Sequence, residues 1–239
     1  MCKLLHHHRS PLLTTEADQL HYSDTHRLLT DAKLLDELHW NADMGIFSDW
    51  GNHSSRVQLT RKVFRVPGQP NQQRVVRRAL RDPEPRYVDA FGYISLFPLL
   101  LKQLEPDSPR LSQMLNDLSQ PDLLWTDYGL RSLSARDPLY MKRNTEHDPP
   151  YWRGQIWINI NFLAVRALRY YAKTDGPSRH LAAELYVRLR ENLVRNMFQQ
   201  YTKSGYLWEQ YNDGSGKGQG THPFTGWSAL VVLIMSEQY

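Results

Sequence analysis

Two aromatic-flanked segments hold the residues best suited to chemistry. One is Tyr206-Leu207-Trp208-Glu209-Gln210-Tyr211-Asn212-Asp213. The other, earlier in the chain, is Tyr151-Trp152-Arg153-Gly154-Gln155-Ile156-Trp157. Each sets a charged residue among tryptophan and tyrosine where a loop meets a helix-like run. Apolar rings stack on the C–H faces of sugars, and a carboxylate among them can do acid–base chemistry at an anomeric carbon. Trp208 and Tyr211 should shield Glu209 from bulk solvent, and partial burial raises a carboxyl pKa toward working pH. An ordinary helix-end glutamate paired with an arginine is the plainer reading. Arg153 could give two hydrogen bonds to sugar hydroxyls or to a carboxylate, and a structural ion pair is its equal alternative.

Other polar clusters carry weaker signals. Glu146, His147 and Asp148 resemble metal ligands, but consecutive spacing does not put three donors on one helix face, and Pro149-Pro150 ends any helix there. They read as hydrogen-bonding loop residues facing a pocket. Asp49 and Asp89 are flanked by aromatics, with pocket and structural roles equally open. Asp213 with Gly214, Gly216 and Gly218 matches a calcium loop only loosely, because the closing glutamate is absent. His6-His7-His8 has no helix-spaced partner and reads as a short exposed tract rather than a metal site. No Gly-rich phosphate loop suggests a nucleotide or redox cofactor.

Helices are the elements that must position these residues. Leu111, Met114, Leu115 and Leu118 follow i, i+3, i+4, i+7. Ile156, Ile160, Leu163, Ala164 and Ala167 make a second stripe, and Leu181, Leu185, Leu189, Leu193 and Met197 a third. A helix is expected from about Thr15 to His39, carrying Leu28, Leu35 and Leu38. Val88–Leu104 is apolar almost all round, with Pro98 kinking or splitting it. Thr225–Glu237 fits a buried terminal helix led in by Pro223. That makes roughly six helices and few alternating runs that would mark strands. The segment from Phe47 to Pro85, rich in Pro and Gln, holds a short hairpin or is simply a loop.

Composition permits a sizeable core, with 41% hydrophobic residues. The net charge of +4 gathers largely in residues 56–86, where Arg56, Arg61, Lys62, Arg65, Arg74, Arg77, Arg78, Arg81 and Arg86 lie. No nucleic-acid recognition motif accompanies them, so a solvated segment is favoured over a nucleic-acid surface. Cys2 is the only cysteine, so cysteine usage does not reveal the redox compartment. No run of apolar residues is long enough to span a membrane, and the apolar start is too short for a signal peptide.

Ordered motifs then carry a resemblance. They are Leu35-Asp36-Glu37-Leu38-His39-Trp40, Gly45-Ile46-Phe47-Ser48-Asp49-Trp50-Gly51-Asn52-His53, and Tyr87-Val88-Asp89-Ala90-Phe91-Gly92-Tyr93-Ile94-Ser95-Leu96-Phe97-Pro98. Gly129-Leu130-Arg131-Ser132-Leu133, Arg143 through Gly154, Trp208-Glu209-Gln210-Tyr211 and Gly226-Trp227-Ser228-Ala229-Leu230-Val231 follow. With them the chain resembles glycoside hydrolase family 63 from about Lys33 to Tyr239, leaving residues 1–32 as a divergent segment. The resemblance implies an all-α (α/α)6 barrel of the six-hairpin glycosidase kind, about half of it present. It implies hydrolysis, with inversion, of the terminal α-1,2-linked glucose of the N-glycan precursor oligosaccharide in the endoplasmic reticulum. Glu209 matches the general base. Trp152, Arg153 and Trp157 match the motif lining the sugar pocket, with Trp208, Tyr211, Glu146 and Asp148 as further substrate contacts. No metal and no cofactor is implied.

In the family the general acid is an aspartate in an Asp-Asp-Tyr-Pro-Arg-type segment upstream of everything matched, and this chain has no such sequence. Loss of general acid help costs about 10²–10⁴-fold in rate. A half ring would also leave large apolar faces uncovered. The expectation is therefore a truncated gene product, a splice form or an incompletely read gene, with pairing to another copy or to the missing half as the alternative. A non-catalytic glycan-binding module, an inert fragment and a trehalase-like enzyme are the competing readings.

Overall fold

Helical spacing of leucines builds the core of the chain. A computed structural model describes residues 16–54, 56–143, 149–237 and 239. Glu146, His147 and Asp148, like Cys2 and His6–His8, lie outside the described residues. Among those described are seven α-helices, two 3-10 turns and ten short strands in two-stranded pairs. The architecture is thus mixed rather than purely helical.

The three leucine-rich stripes form the helices expected of them. Helix α4 (Pro109–Leu118) starts on Ser108, whose hydroxyl accepts from the Arg110 amide at 3.2 Å, and buries Leu111, Met114, Leu115 and Leu118. Helix α5 (Ile158–Lys173) buries Asn161, Ala164, Val165, Ala167 and Leu168. Its start lies two residues past Ile156, which sits in the preceding loop. Helix α6 (Arg179–Ser204) buries Leu185, Leu189, Leu193 and Met197 against it. It ends at Gly205, whose φ of 79° suits glycine.

The other helical expectations need correction. The helix foreseen from Thr15 to His39 is two: α1 (Glu16–Leu29) and α2 (Ala32–His39). Asp31 divides them, because its carboxylate caps the Lys33 and Leu34 amides at 2.9 and 3.1 Å from an extended backbone. Val88–Leu104 contains only a 3-10 turn (Tyr93–Leu96) and the short α3 (Phe97–Leu100). Pro98 sits in the first turn of α3, where no amide donor is needed, so it starts the helix rather than kinking it. The terminal run is a 3-10 turn (Trp227–Leu230) and α7 (Val231–Ser236). Only one side of α7 is buried, through Val231 and Ile234, while Val232 and Met235 are exposed.

The segment from Phe47 to Pro85 is a β-ribbon. Strands β1 (Trp40–Asn41) and β2 (Ile46–Phe47) pair, as do β3 (Trp50–His53) and β6 (Glu84–Tyr87). Between β3 and β6, β4 (Val57–Phe64) and β5 (Gln72–Ala79) run antiparallel, with Val57 opposite Ala79 and Phe64 opposite Gln72. Most of the β4 and β5 side chains are exposed.

A backbone seam gathers the loops at one end of the helices. Gly92 bridges Leu133, Arg131 bridges Ile156, and Ile156 bridges Tyr211. The strands β7 (Trp125–Thr126) with β8 (Gly129–Leu130), and β9 (Gln210–Tyr211) with β10 (Gly218–Gln219), flank this seam. The two chemically suggestive segments therefore become neighbours, although the whole of α5 and α6 lies between them in sequence.

Candidate active site

A buried polar hub fixes the floor of the site. The Tyr93 hydroxyl donates to Leu130 O at 2.5 Å and accepts from the Trp157 amide at 3.2 Å and from Asn161 Nδ2 at 3.0 Å. Asn161 Oδ1 in turn accepts from the Leu130 amide at 2.7 Å. Burial pushes the Tyr93 phenol well above its ordinary range, so it stays protonated. Such satisfied interior polar groups specify one arrangement of the loops they join.

An aromatic layer rests on this hub. Trp157 is wholly buried, and Trp152 stacks on it at 3.8 Å with 13° between ring planes. Tyr151 meets Trp157 edge-on at 4.7 Å, and Trp227 lies against it at 5.7 Å. Trp152 is 43% exposed, so it is the ring of this pair that offers a free face.

Glu209 stands at the edge of the layer, with each carboxylate oxygen engaged. Oε1 accepts from the Tyr151 hydroxyl at 2.6 Å, and Oε2 accepts from the Thr221 amide at 3.0 Å. Gly220 makes the second contact possible: at its φ of +75°, a Cβ would sit 2.7 Å from Oε2. The main chain is clamped as well. Trp227 Nε1 donates to Glu209 O at 2.7 Å, and Ser228 Oγ donates to Trp208 O at 2.5 Å. Tyr151 adopts a φ of 54°, a conformation that costs a side-chain-bearing residue roughly 1–3 kcal/mol. That strain is held at the residue that grips the carboxylate.

These contacts reverse the expected shift of Glu209. The Tyr151 hydroxyl first, then the Thr221 amide, hold its carboxyl below the ordinary value, outweighing burial. The Tyr151 phenol is raised correspondingly, chiefly by the same hydrogen bond. The proton stays on the phenol, and Glu209 is a carboxylate at neutral pH.

The family profile of the glycosyl hydrolase family 63 C-terminal domain matches residues 2–237. The chain belongs to glycosyl hydrolase family 63. The match reaches upstream of Lys33, into the segment that the motifs leave divergent. Within the family, the chain is 45% identical over 219 residues to mannosyl-oligosaccharide glucosidase of Arabidopsis thaliana, covering 91% of this chain and 26% of that protein. It is 40% identical to alpha-glucosidase 2 of the same plant, over 97% of this chain and 29% of the relative. It is 39% identical to mannosyl-oligosaccharide glucosidase of Saccharomyces cerevisiae, over 64% of this chain and 19% of the relative. The chain spans between a quarter and a third of the length of the two Arabidopsis relatives. A solved sialidase shares its fold, with a TM-score of 0.60 at 14% identity over 91% of this chain and 17% of that one.

The sequence-predicted residues take different places in this family 63 chain. Trp152 and Glu209 are brought together through Trp157 and Tyr151. Trp157 and Tyr211 are wholly buried and hold their neighbours in place; the Tyr211 hydroxyl accepts from the Trp208 amide at 3.3 Å. Tyr211 therefore contributes to the loop's shape rather than an open wall. Trp208 packs on His222 at 3.8 Å and on the backbone of Gly218, leaving its ring largely covered. Arg153 donates to the carbonyls of Lys142 and Arg143 at 3.3 and 3.2 Å. It ties the loop that precedes the site. Burial, and after it the charge of Arg77, lowers its pKa. Glu146 and Asp148 lie outside the described residues.

Sequence reasoning passed over three contributors. Tyr151 and Trp227 appeared in quoted motifs without a role. Asp213, considered only as part of a calcium loop, is turned inward instead. Its carboxylate, 3% exposed, meets Arg131 Nε at 2.9 Å and accepts from the Tyr140 hydroxyl at 2.5 Å. Burial and the hydrogen bond to Asp213 push the Tyr140 phenol up to about 12. The only signal in sequence was an arginine in the Gly129–Leu133 motif and an aspartate closing the Tyr206–Asp213 segment, and neither says which partner it will find.

Proposed function

We propose that this chain is the base-bearing part of an inverting α-glucosidase. Its substrate is the terminal α-1,2-linked glucose of the N-glycan precursor oligosaccharide, met in the endoplasmic reticulum. The observation that carries the reading is the Glu209 carboxylate, held ionised by Tyr151 and Thr221 at the rim of the Trp152–Trp157 stack. The names of the Arabidopsis and Saccharomyces relatives supply the substrate class. The (α/α)6 barrel belongs to the same proposal, with this chain as part of its ring. Among the described residues no helix is long and apolar enough to cross a membrane.

In this mechanism the exposed ring of Trp152 takes the C–H face of the sugar. A water bound to the free lone pairs of Glu209 attacks the anomeric carbon, and Glu209 takes its proton. The glycosidic C–O bond breaks as a second carboxylic acid, about 6.5–9.5 Å away, protonates the leaving oxygen. The resemblance points to an upstream aspartate for that acid. Two donors on Glu209 keep it deprotonated at the cost of some basic strength.

The test joins this chain to the acid-bearing segment of a family relative and follows glucose release from an α-1,2-glucosylated oligosaccharide. Glu209→Gln is expected to lower the rate by at least about 10²-fold. Release at the unsubstituted rate would remove Glu209 from the mechanism.

A further inference from the structure

A cavity of about 390 Å³ opens beside Trp152, walled by apolar groups that include Val88, Ile94, Phe97 and Ile160. A second cavity, of about 360 Å³, adjoins it and shares Ser48, Asp49, Ile94 and Phe97. Glu209 does not line either one. Among the described residues Asp49 is the one charged side chain on both walls.

The backbone at Asp49 is fixed from two sides. Its carbonyl accepts from the Val88 amide at 2.8 Å, and the preceding Ser48 amide donates to His39 O at 2.8 Å. The side chain is left free. Among the described residues the Asp49 carboxylate has no hydrogen bond and no ion pair, whereas both oxygens of Glu209 are engaged and Asp89 is paired with Arg86 at 2.6 Å. Beside it, Ser48 is 5% exposed and its hydroxyl has no partner among the described residues. An exposed acceptor with spare lone pairs, on a pinned backbone at the lip of an apolar hollow with one open tryptophan, is suited to a ligand that is apolar on one face and rich in hydroxyl donors on its edge.

We infer that Asp49 is a specificity-determining residue, binding vicinal hydroxyls of a neutral hexose unit while Trp152 carries the C–H face of that unit. The ligand class rests on the glycosidase reading above; the site itself rests on the cavity geometry. Ionised acceptors form shorter and stronger hydrogen bonds than neutral ones, so the carboxylate should contribute much of the binding.

The experiment titrates the full chain with the disaccharide glucosyl-α-1,2-glucose and reads calorimetric heat and tryptophan fluorescence. Asp49→Ala is expected to raise Kd about tenfold or more, with Asp49→Asn between it and the unsubstituted chain. Asp49 is exposed and its carboxylate has no hydrogen bond or ion pair among the described residues, so the unfolding midpoint should move little. If Asp49→Ala nevertheless loses the fold, the isosteric Asp49→Asn is read in its place. An unchanged Kd in these variants, or no saturable binding by the unsubstituted chain, overturns the inference. Glucose release by Glu209→Gln decides the catalytic reading separately, so either can fail while the other stands.

Discussion

The loops around Glu209 and the β4–β5 ribbon come from one chain but are held by different means. Around Glu209, Tyr93, Asn161, Trp157 and Tyr211 are buried, and hydrogen bonds lock the loops to one another. In the ribbon, strand pairing does most of the holding, and Val57, Leu59, Val63 and Phe64 remain exposed. Charge separates the regions too. Residues 56–86 carry nine Lys and Arg against Asp82 and Glu84, a net of +7, while the whole chain carries +4, so the other residues together are net −3. A two-stranded ribbon is marginal by itself in water. Precision at the site thus comes from interior polar groups, whereas the ribbon relies on its own strand pairing.

The largest effect should come from breaking the buried ion pair. Arg131→Met leaves Asp213 charged in the interior and should cost about 3–5 kcal/mol in urea unfolding. A cost below about 1 kcal/mol would show that Asp213 does not depend on its arginine. The next effect is on pH dependence. Tyr151→Phe removes the main donor to Glu209, so its depressed pKa should rise toward the ordinary carboxyl value. On the proposal that Glu209 is the general base, which works only when ionised, the acid limb of glucose release should move to higher pH. In unfolding, the stability tied to this hydrogen bond is present above the ordinary carboxyl range and lost as pH falls through the folded value, so the variant should show less of that acid loss. An unmoved acid limb would separate Tyr151 from the base. The smallest effect is expected in the ribbon, where Leu59→Ser or Val63→Ser should each change unfolding free energy by no more than about 0.5 kcal/mol. A loss near that of Arg131→Met would place the ribbon within the core and erase the contrast.

Part of this was legible from residue order. The stripes ending in Leu118 and Met197 are buried as their spacing indicates, because a repeated apolar face has no better place than the core. Helix ends were less legible. Asp31 divides one expected helix and Pro98 starts another, since a short polar side chain or a missing amide overrides a hydrophobic period locally. At the site, Glu209 and Trp152 stood out by type, but the sign of the Glu209 shift did not. Shielding by neighbours can be guessed from sequence; the arrival of a tyrosine hydroxyl from the far side of two helices cannot.

By itself, the sequence determined the family, the core-forming stripes and the identity of the candidate base, because these depend on residue type and local spacing. Tertiary structure alone decided that Tyr151 grips Glu209, that Trp152 rather than Trp157 or Tyr211 keeps an open face, and that Asp213 turns to Arg131. Each of these is a contact between segments remote in sequence, fixed only when the backbone seam through Arg131, Ile156 and Tyr211 closes.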